Sequence, residues 1–528
     1  MLRLGRLAEW RREMAMFARF AVGLRGFLRE TVDEEEVRRE LEQALAARGE
    51  ALISLLRRAV YDRLGSPYLA LLRHASLELG DVERLVADAG VDGALARLYD
   101  EGVYVSVDEA KGHRPIERAG LTLDVTPSDF DNPLLIQHFE SRSGGSGGQA
   151  RPITGSLDLL SDWARASKPF YATVGGDDHA LVFWYPPPPG TGLQAALISA
   201  KLGLRVTRWF TPSKLDGRGR LLTTTAWLAS RLWGHPFPWP EYAAPADALT
   251  IARWIADSRD GLGVTLGCTP SSAVRICSAA MDAGLDIAGT RFTLGSEPYT
   301  EAKAEIVESA GCRGLSPYGM TELGWIGMPC GSPGARDDVH VMLDKVALLE
   351  RPRLVAGAQL NVLFFTSLQP TTPKIALNFE SGDYAAVERR DCGCWLSNVG
   401  LDLHLHTIRS HEKLTSEGVT FFGEELVGVI ERLLPERFGG DPTDYQLVEE
   451  ERDGTTKLTL LVSPRLGDVA DEDVAATVLD TLGRNGYGQA QMAELLRGAQ
   501  TLEVKRAEPH VTAANKILPL HVLRSGRA

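Results

Sequence analysis

The N-terminal part of the chain has the pattern of apolar and charged positions typical of helices. From about Val32 to Leu98, apolar residues recur three and four positions apart, with charged residues on the opposite face. This spacing predicts amphipathic α-helices. The first thirty residues mix arginine with apolar residues, and their uncharged stretches, Met14 to Ala18 and Phe20 to Leu24, are too short for a signal peptide or a membrane span. We expect a helix packed on its own protein, with a position on a membrane surface as the alternative.

From about Tyr171 to Leu294, short apolar runs alternate with helical stretches. HALVFWY precedes a proline-rich turn and the helical LQAALISAKLGL, and GVTLGCTPS precedes the helical AVRICSAAMDAG and the apolar IAGTRFTLGSEP. Strand, turn, helix and strand in succession predict an α/β fold with mixed or largely parallel sheets. The proline run follows a predicted strand, at the edge of an open α/β sheet where ligands gather.

The pattern changes after about Arg409. EELVGVIERLL predicts an amphipathic helix, and YQLVEEERDGTTKLTLLVSP predicts two strands around an Asp-Gly turn, followed by a helix and the short strand TLEVKR. We therefore expect a helical segment over residues 1–110, a large α/β domain over 111–408 and a small mobile α+β domain over 409–528.

Composition and charge restrict the class of protein. The 528 residues are 44% hydrophobic and 24% charged, as in soluble globular proteins. The net charge of -13 argues against a nucleic-acid binder, because neutralising phosphates requires an excess of lysine and arginine. Six cysteines are too few for a disulfide framework, and they predict a cytoplasmic protein. No transmembrane segment is expected.

Six short motifs carry residues suited to binding a nucleotide. SRSGGSGGQAR, residues 141–151, fits either a flexible linker or a loop that surrounds phosphate, and it lacks the Gly-Lys-Ser/Thr ending of a Walker-type loop. The other motifs are GSEPYTEAK from Gly295, YGMTE over 318–322, ESGDY with Asp383, and IRSHEKLTSEGVTF with Arg409; TAANKILPL with Lys516 lies near the C-terminus. Each motif is weak alone, but their order and separation together are a strong signal.

In these motifs the sequence resembles the adenylate-forming superfamily of acyl-CoA ligases, firefly-type luciferases and peptide-synthetase adenylation domains. The resemblance extends over roughly Ser141 to Leu520, and its nearest branch looks like the phenylacetate-CoA-ligase-like proteins. It implies that a carboxylate attacks the α-phosphate of ATP, that pyrophosphate leaves, and that the acyl-adenylate passes to a thiol. Such catalysis depends on positioning and on electrostatic stabilisation of phosphate oxygens.

The resemblance assigns the phosphates to the first motif. Ser143, Gly144, Ser146 and Gly147 would hold the β- and γ-phosphates through hydroxyls and backbone N–H groups. The family ends this loop with Pro-Lys, whereas Arg151 would supply the cation here.

The nucleoside is assigned to residues of four motifs. Tyr318 would stack on adenine, with Gly295 and Glu297 on the adenine side. Asp383 would accept hydrogen bonds from both ribose hydroxyls, and Arg409 would reach ribose or phosphate.

The catalytic groups implied by the resemblance are Thr321, Glu322 and Lys516. Thr321 would touch the α-phosphate, Glu322 would hold Mg²⁺, and Lys516 would reach the forming acyl-phosphate. His411 stands at the family's hinge position, where aspartate or lysine is usual.

Four further residues have side chains that bind zinc. Cys330 and His340 follow the YGMTE motif, and Cys392 and Cys394 form a DCGC turn after Asp383. Three thiolates and one imidazole would form the closed tetrahedral shell of a structural Zn²⁺. Some members of the branch that the chain resembles look similar in carrying such a cluster. The alternative is two unrelated pairs.

The acid would occupy a pocket walled by Tyr171, Trp184, Tyr185 and the Pro186–Gly190 turn, which suggests an aromatic or medium-sized carboxylic acid. The acceptor is either CoA or the phosphopantetheine of a separate acyl-carrier protein acting in trans. A non-catalytic nucleotide-binding relative is the third reading, favoured by the altered phosphate loop and the histidine hinge. Whether the chain forms a homodimer stays open.

Overall fold

The structure is a computed structural model of the chain. It describes residues 2–142, 152–174, 179–258, 263–296, 299, 301–355, 358–410, 414–416, 419–421, 429–440, 444–452, 455–484, 502–510 and 520–523.

The first part of the chain is helical, as its periodicity predicts. The helices are α1 (Leu2–Arg29), α2 (Glu34–Ala46), α3 (Arg48–Leu56), α4 (Pro67–His74), α5 (Leu79–Asp100) and α6 (Val107–Ala110), with a π-helical turn at Arg57–Tyr61. Two antiparallel hairpins follow, formed by β1 (Ile116–Arg118) with β2 (Leu121–Leu123) and by β3 (Phe139–Arg142) with β4 (Pro152–Gly155). Asp33 caps α2 by accepting a hydrogen bond from the Glu36 N–H.

A six-stranded parallel sheet forms the next part. Its strands are β5 (His179–Trp184), β6 (Val206–Thr211), β7 (Glu241–Tyr242), β8 (Gly263–Cys268), β9 (Arg291–Leu294) and β10 (Arg313–Leu315), in the order β10-β9-β8-β5-β6-β7. The accompanying helices are α7 (Leu157–Val174), α8 (Gly192–Lys201), α9 (Gly217–Trp233), α10 (Ala248–Asp257), α11 (Pro270–Asp282) and α12 (Glu301–Ser309). The predicted α/β fold is thereby confirmed.

A seven-stranded sheet follows, and all of its strand pairs are antiparallel. It contains β11 (Tyr318–Met320), β12 (Gly324–Pro329), β13 (Val339–Val341), β14 (Val346–Val355), β15 (Ala358–Ser367), β16 (Phe379–Arg389) and, after α13 (Trp395–Asn398), β17 (Leu403–Ser410). The strand order is β11-β12-β13-β17-β16-β15-β14.

The C-terminal part has a smaller sheet with its own core. The elements are β18 (Leu414–Ser416), β19 (Val419–Phe421), a π-helical turn (Val429–Leu433), α14 (Leu434–Phe438), β20 (Tyr445–Arg452), β21 (Thr455–Val462), α15 (Asp471–Arg484), β22 (Leu502–Arg506) and β23 (Leu520–Leu523). Four strands pair in the order β22-β21-β20-β23, and β20 and β21 form the hairpin that the sequence predicts.

Apolar cores cover both faces of the parallel sheet. One core joins α1, α7, α8 and α9 to β5 and β6, and another joins α10, α11 and α12 to the opposite face. A third core joins the helices α2, α3, α4 and α5 to the seven-stranded sheet. The N-terminal helices therefore pack on the rest of the chain. Among the described residues, none of the helices has both the length and the apolar character of a membrane span.

Candidate functional site

A cavity of about 810 Å³ lies between the carboxyl ends of the parallel strands and one edge of the seven-stranded sheet. Ligands bind at this end of open α/β sheets, because loops there are free to diverge. The predicted residues that line the cavity are Tyr171, Tyr185, Gly295, Tyr318, Thr321, Glu322, Asp383 and Arg409. Residues assigned to the nucleotide and to the acid therefore share one cavity.

The YGMTE motif forms a tight hairpin at the cavity. Strand β11 carries Tyr318, β12 begins at Gly324, and the turn between them carries Thr321 and Glu322. Gly324 has a φ of 82°, and a Cβ there would lie 2.4 Å from Nε1 of Trp163. Only glycine fits this turn, which directs the threonine and glutamate to the cavity.

Tyr318 and Asp383 are joined by a hydrogen bond inside the cavity. The tyrosine hydroxyl donates to Oδ2 of Asp383 at 2.7 Å. Burial, followed by the nearby carboxylate, raises the pKa of Tyr318 well above its ordinary value, so the hydroxyl stays a donor. Oδ1 of Asp383 has no partner among the described residues and can accept hydrogen bonds from a ligand.

Glu322 places a carboxylate at the cavity without a partner in the described part of the chain. Its side chain is half-buried, whereas its backbone carbonyl accepts a hydrogen bond from the Lys374 N–H at 2.9 Å. A fixed backbone with a free carboxylate suits a hard cation such as Mg²⁺.

Arg409 is held at the cavity by Asp337, a residue that sequence reasoning missed. Asp337 accepts hydrogen bonds from Nη1 of Arg409 at 3.0 Å and from the N–H groups of Thr407 at 2.8 Å and Ile408 at 3.0 Å. Thr407 has a φ of 55°, which is uncommon for a β-branched residue. The carboxylate thus stabilises an irregular strand end that positions the guanidinium group. In the sequence, the two aspartates of RDDVH did not indicate this contact with Arg409.

The loop after β9 brings Gly295 to the cavity. The Gly295 N–H donates to the carbonyl of Cys268 at 3.2 Å, and Ser296 has a φ of 73°. A non-glycine residue in this conformation is strained, and such strain is often found at binding sites.

Part of the cavity wall is aromatic and is formed by the chain at and just after the end of β5. Phe183 and Tyr185 line the cavity, and the Tyr185 hydroxyl donates to the carbonyl of Thr293 at 3.2 Å. The prediction for Trp184 is wrong: its side chain is 2% exposed in the core on the other face, where its Nε1 donates to the carbonyl of Ala243. Successive side chains of a strand point to opposite faces, so adjacent residues cannot both line one wall.

Helices α7 and α8 supply wall residues that the sequence analysis did not assign. They include Trp163, Phe170, Gln194 and Ser199. Their helical periodicity was visible, but it did not indicate which face would meet a ligand.

Cys330, His340, Cys392 and Cys394 converge as the sequence analysis expected. Their ligand atoms all lie within 4.8 Å of one another. Sγ of Cys330 is 3.5 Å from Sγ of Cys392, and Nε2 of His340 is 3.5 Å from Sγ of Cys392 and 3.1 Å from Sγ of Cys394. Tetrahedral zinc with Zn–S bonds of about 2.3 Å and Zn–N bonds of about 2.1 Å requires separations of about 3.5 to 3.8 Å.

The surroundings of this Cys₃His cluster suit a metal. Nδ1 of His340 lies 2.6 Å from the carbonyl of Leu401, a contact in which Nδ1 donates and Nε2 is left free to face the thiols. A hydrogen bond from Cys330 lowers the pKa of Cys394 far below its ordinary value, and the same contact raises the pKa of Cys330. The three sulfurs are therefore close enough to share protons or to bind one cation.

The loop between Cys330 and His340 is fixed by Asp338. Burial alone would raise the pKa of this carboxylate, but hydrogen bonds from His404 and Gly334 lower it below its ordinary value. Nδ1 of His404 lies 2.8 Å from Oδ1, and Arg390 pairs with Oδ2. The loop carries Asp337 as well, so it connects the cluster to Arg409.

Several predicted residues lie outside those that the structure describes: Ser143, Gly144, Ser146, Gly147, Arg151, Glu297, His411 and Lys516.

Comparisons with known proteins find similarity in structure only. No protein-family model matches the chain, and no curated protein sequence matches it. The similar solved structures are AMP-forming acyl-CoA ligases and adenylation domains. They include 2-hydroxyisobutyryl-CoA ligase in complex with 2-HIB-AMP and CoA, with 13% identity, a TM-score of 0.39, and coverage of 88% of this chain and 92% of that chain.

Two further structures are o-succinylbenzoate CoA synthetase from Bacillus subtilis, with 12% identity, a TM-score of 0.40 and coverage of 73% and 69%, and the McyG A-PCP protein with phenylalanyl-adenylate, with 11% identity, a TM-score of 0.34 and coverage of 83% and 72%. At such low identities and TM-scores, these proteins carry no information about individual residues of the cavity.

Proposed function

We propose that this chain activates a carboxylic acid with ATP, forming an acyl-adenylate and pyrophosphate, and transfers the acyl group to the thiol of CoA. One observation carries the proposal: Tyr318, Glu322, Asp383 and Arg409 line a single cavity that Tyr171, Phe183 and Tyr185 also line. A nucleoside, a phosphate chain and an apolar acid each find a complementary surface there. The chain is then an adenylate-forming acid–thiol ligase, and its place in the phenylacetate-CoA-ligase-like branch stays a prediction.

The nucleoside would bind beside Tyr318 and Asp383. The tyrosine hydroxyl fixes one carboxylate oxygen of Asp383 at 2.7 Å and leaves the other as an acceptor for ribose hydroxyls. Gly295, which also lines the cavity, allows the chain to approach adenine closely.

The phosphates would lie between Glu322, Thr321 and Arg409. As an acid oxygen attacks the α-phosphorus and the bond to pyrophosphate breaks, negative charge develops on phosphate oxygens. Arg409 supplies a fixed positive charge, and the Thr321 hydroxyl donates to the α-phosphate. Mg²⁺ held by Glu322 would neutralise further charge. The serine-glycine loop and Lys516 are predicted to complete the phosphate site.

The acid would occupy the aromatic end of the cavity. Tyr171, Phe183 and Tyr185 line the cavity there. Such walls stabilise an aromatic or medium-sized apolar acid, since buried apolar surface contributes roughly 25 cal/mol per Å².

A structural Zn²⁺ in the Cys₃His cluster is part of the proposal. Three thiolates and Nε2 of His340 match the donor set of closed zinc sites, and the four ligand atoms all lie within 4.8 Å of one another. The ion would join the loop after the YGMTE hairpin to the turn after Asp383 and would take no part in the reaction.

Thioester formation requires a second arrangement of the chain. We propose that residues 409–528 form a mobile domain that turns about His411, as hinges absorb backbone rotation. CoA is the proposed acceptor, and a carrier protein with phosphopantetheine is the alternative. A cytoplasmic location accords with the free thiols.

Acid-dependent exchange of labelled pyrophosphate into ATP tests the proposal. We expect exchange with one or more aromatic acids from a panel, and Glu322→Gln should reduce it by about 10² to 10³-fold. Glu117→Gln is the matched control, because it makes the same substitution at an exposed glutamate on β1. This variant should leave exchange unchanged.

Two further measurements separate the alternatives. Product analysis with CoA or with acyl-carrier proteins identifies the acceptor. Nucleotide binding without exchange for any acid in the panel would support the non-catalytic reading and overturn the proposed reaction.

A further inference from the structure

Helices α1 and α9 lie side by side on the surface and run in the same direction. Glu13 near the middle of α1 pairs with Arg218 at the start of α9 at 2.8 Å. At the other end, a Cβ on Gly234 would lie 3.0 Å from the Cβ of Leu28. The inner side of α1 is anchored, because Phe20 and Leu24 are fully buried in the core.

The outward sides of these helices expose large apolar side chains. In α1, Val22 is 79% exposed and Met14 is 48% exposed. In α9, Leu221, Leu228 and Leu232 are 54%, 48% and 70% exposed. The two residues of α1 are eight positions apart, and the leucines of α9 are seven and then four positions apart. These spacings place each set on one face of its helix. We call the surface formed by these five side chains the two-helix face.

Thr224 and Thr225 lie between Leu221 and Leu228 on α9. The hydroxyls of Thr224 and Thr225 donate to the carbonyls of Arg220 and Leu221 within the helix. Their hydrogen-bonding needs are met internally, so an apolar medium can cover them without leaving a donor unpaired.

The two helices carry a strong excess of positive charge in an acidic protein. Together they contain ten arginines and two glutamates, whereas the whole chain has a net charge of -13. Five of these arginines are exposed and have no partner within the described ranges: Arg11, Arg12, Arg25, Arg29 and Arg220. Cations beside exposed leucines match a surface that is both anionic and apolar.

We propose that the two-helix face docks this protein on a membrane surface rich in anionic lipid. The arginines would bind phosphate headgroups, while the leucines and Val22 would enter the boundary between headgroups and acyl chains. Association of two copies through this face would bring like charges together, and a purely electrostatic partner would gain nothing from the leucines. This inference is independent of the proposed reaction.

Sedimentation with lipid vesicles tests the proposal on the full chain. Vesicles of phosphatidylcholine with an equal part of phosphatidylglycerol should bind the protein, and vesicles of phosphatidylcholine alone should not. Binding should weaken as salt rises, because exposed charges are screened within about 10 Å at 0.1 M ionic strength and within about 3 Å at 1 M. The substitutions Arg25→Gln and Arg29→Gln should each weaken vesicle binding about fivefold.

Leucine substitutions separate lipid docking from simple anion binding. Leu228→Asp with Leu232→Asp should weaken vesicle binding by more than about tenfold, because apolar burial is lost and charge is reversed. Leu64→Asp, at a residue 83% exposed outside both helices, is the matched control and should bind normally. If the aspartate pair lowers the unfolding temperature, serine replacements at the same two positions give the comparison.

Three results would overturn the proposal. The first is equal binding to the two kinds of vesicle, and the second is the same loss for Leu64→Asp. The third is a loss of binding with the arginine variants while the variants at Leu228 and Leu232 bind normally. That result would indicate an acidic macromolecule as the partner.

Discussion

The carboxylate of Asp337 lies 3.0 Å from Nη1 of Arg409 and belongs to the loop between two of the four proposed zinc ligands. The same carboxylate accepts the N–H groups of Thr407 and Ile408. The end of β17 that carries the cavity arginine is therefore fixed by a loop that Asp338 holds and that runs between Cys330 and His340 of the Cys₃His cluster. Metal binding and nucleotide binding would be coupled through this loop.

Replacing Asp337 should impair the use of ATP chiefly through the position of Arg409. Asp337→Asn keeps an oxygen acceptor but loses the charge that holds Arg409, and we expect kcat/KM for ATP to fall about tenfold. Pyrophosphate exchange at varied ATP measures the change. Asp402→Asn, which breaks the exposed pair with Arg389, should leave both constants unchanged. Unchanged kcat and KM for Asp337→Asn would contradict a positioning role for this carboxylate.

The Cys₃His cluster should hold about one zinc ion per chain in the purified protein. Cys392→Ser with Cys394→Ser should abolish metal content and lower the unfolding temperature, because two ligands of the closed shell are lost. Cys312→Ala, a buried thiol outside the cluster, should retain the metal. Elemental analysis with thiol titration checks this, and protein without zinc whose Cys392 and Cys394 react as free thiols would refute the site.

Local patterns were enough to predict the helices and the parallel strands, whereas the motif residues that meet in the cavity were assigned through the family resemblance. Asp383 and Arg409 were assigned from their order along the chain, since SGD is also a common turn. Trp184 was misassigned because an apolar run indicates a buried strand but not which of its faces meets a ligand. Asp337 and Trp163 were missed because their roles depend on contacts between distant segments, which periodicity does not encode.

Lys516 is predicted to act in adenylation only. Lys516→Ala should reduce pyrophosphate exchange by about 10² to 10³-fold, because an ammonium group at the forming acyl-phosphate is lost. Thioester formation from supplied acyl-adenylate should continue. Lys505→Ala, an exposed lysine on β22, is the control that should change neither step. Equal loss of both steps would instead indicate misfolding of the C-terminal region.

Alkaline conditions should destabilise the protein through its buried tyrosines. Burial raises the pKa of Tyr171 from 10.0 to about 12. Between these values the unfolded chain loses this proton while the folded protein keeps it, so the stability contributed below pH 10 is lost as the pH rises toward 12. Each such tyrosine contributes a slope of up to about 1.4 kcal/mol per pH unit.

Tyr171→Phe isolates that contribution, because the ring stays in the aromatic wall while the ionisable hydroxyl is removed. Denaturant unfolding at several pH values from about 9 to 11.5 should show a shallower loss of stability for this variant than for the wild-type protein. Tyr242→Phe, at a residue 48% exposed, should retain the wild-type slope. If Tyr171→Phe kept the full slope, the hydroxyl at position 171 would have to ionise equally well in the folded and unfolded chains, and its burial in the cavity wall would be refuted.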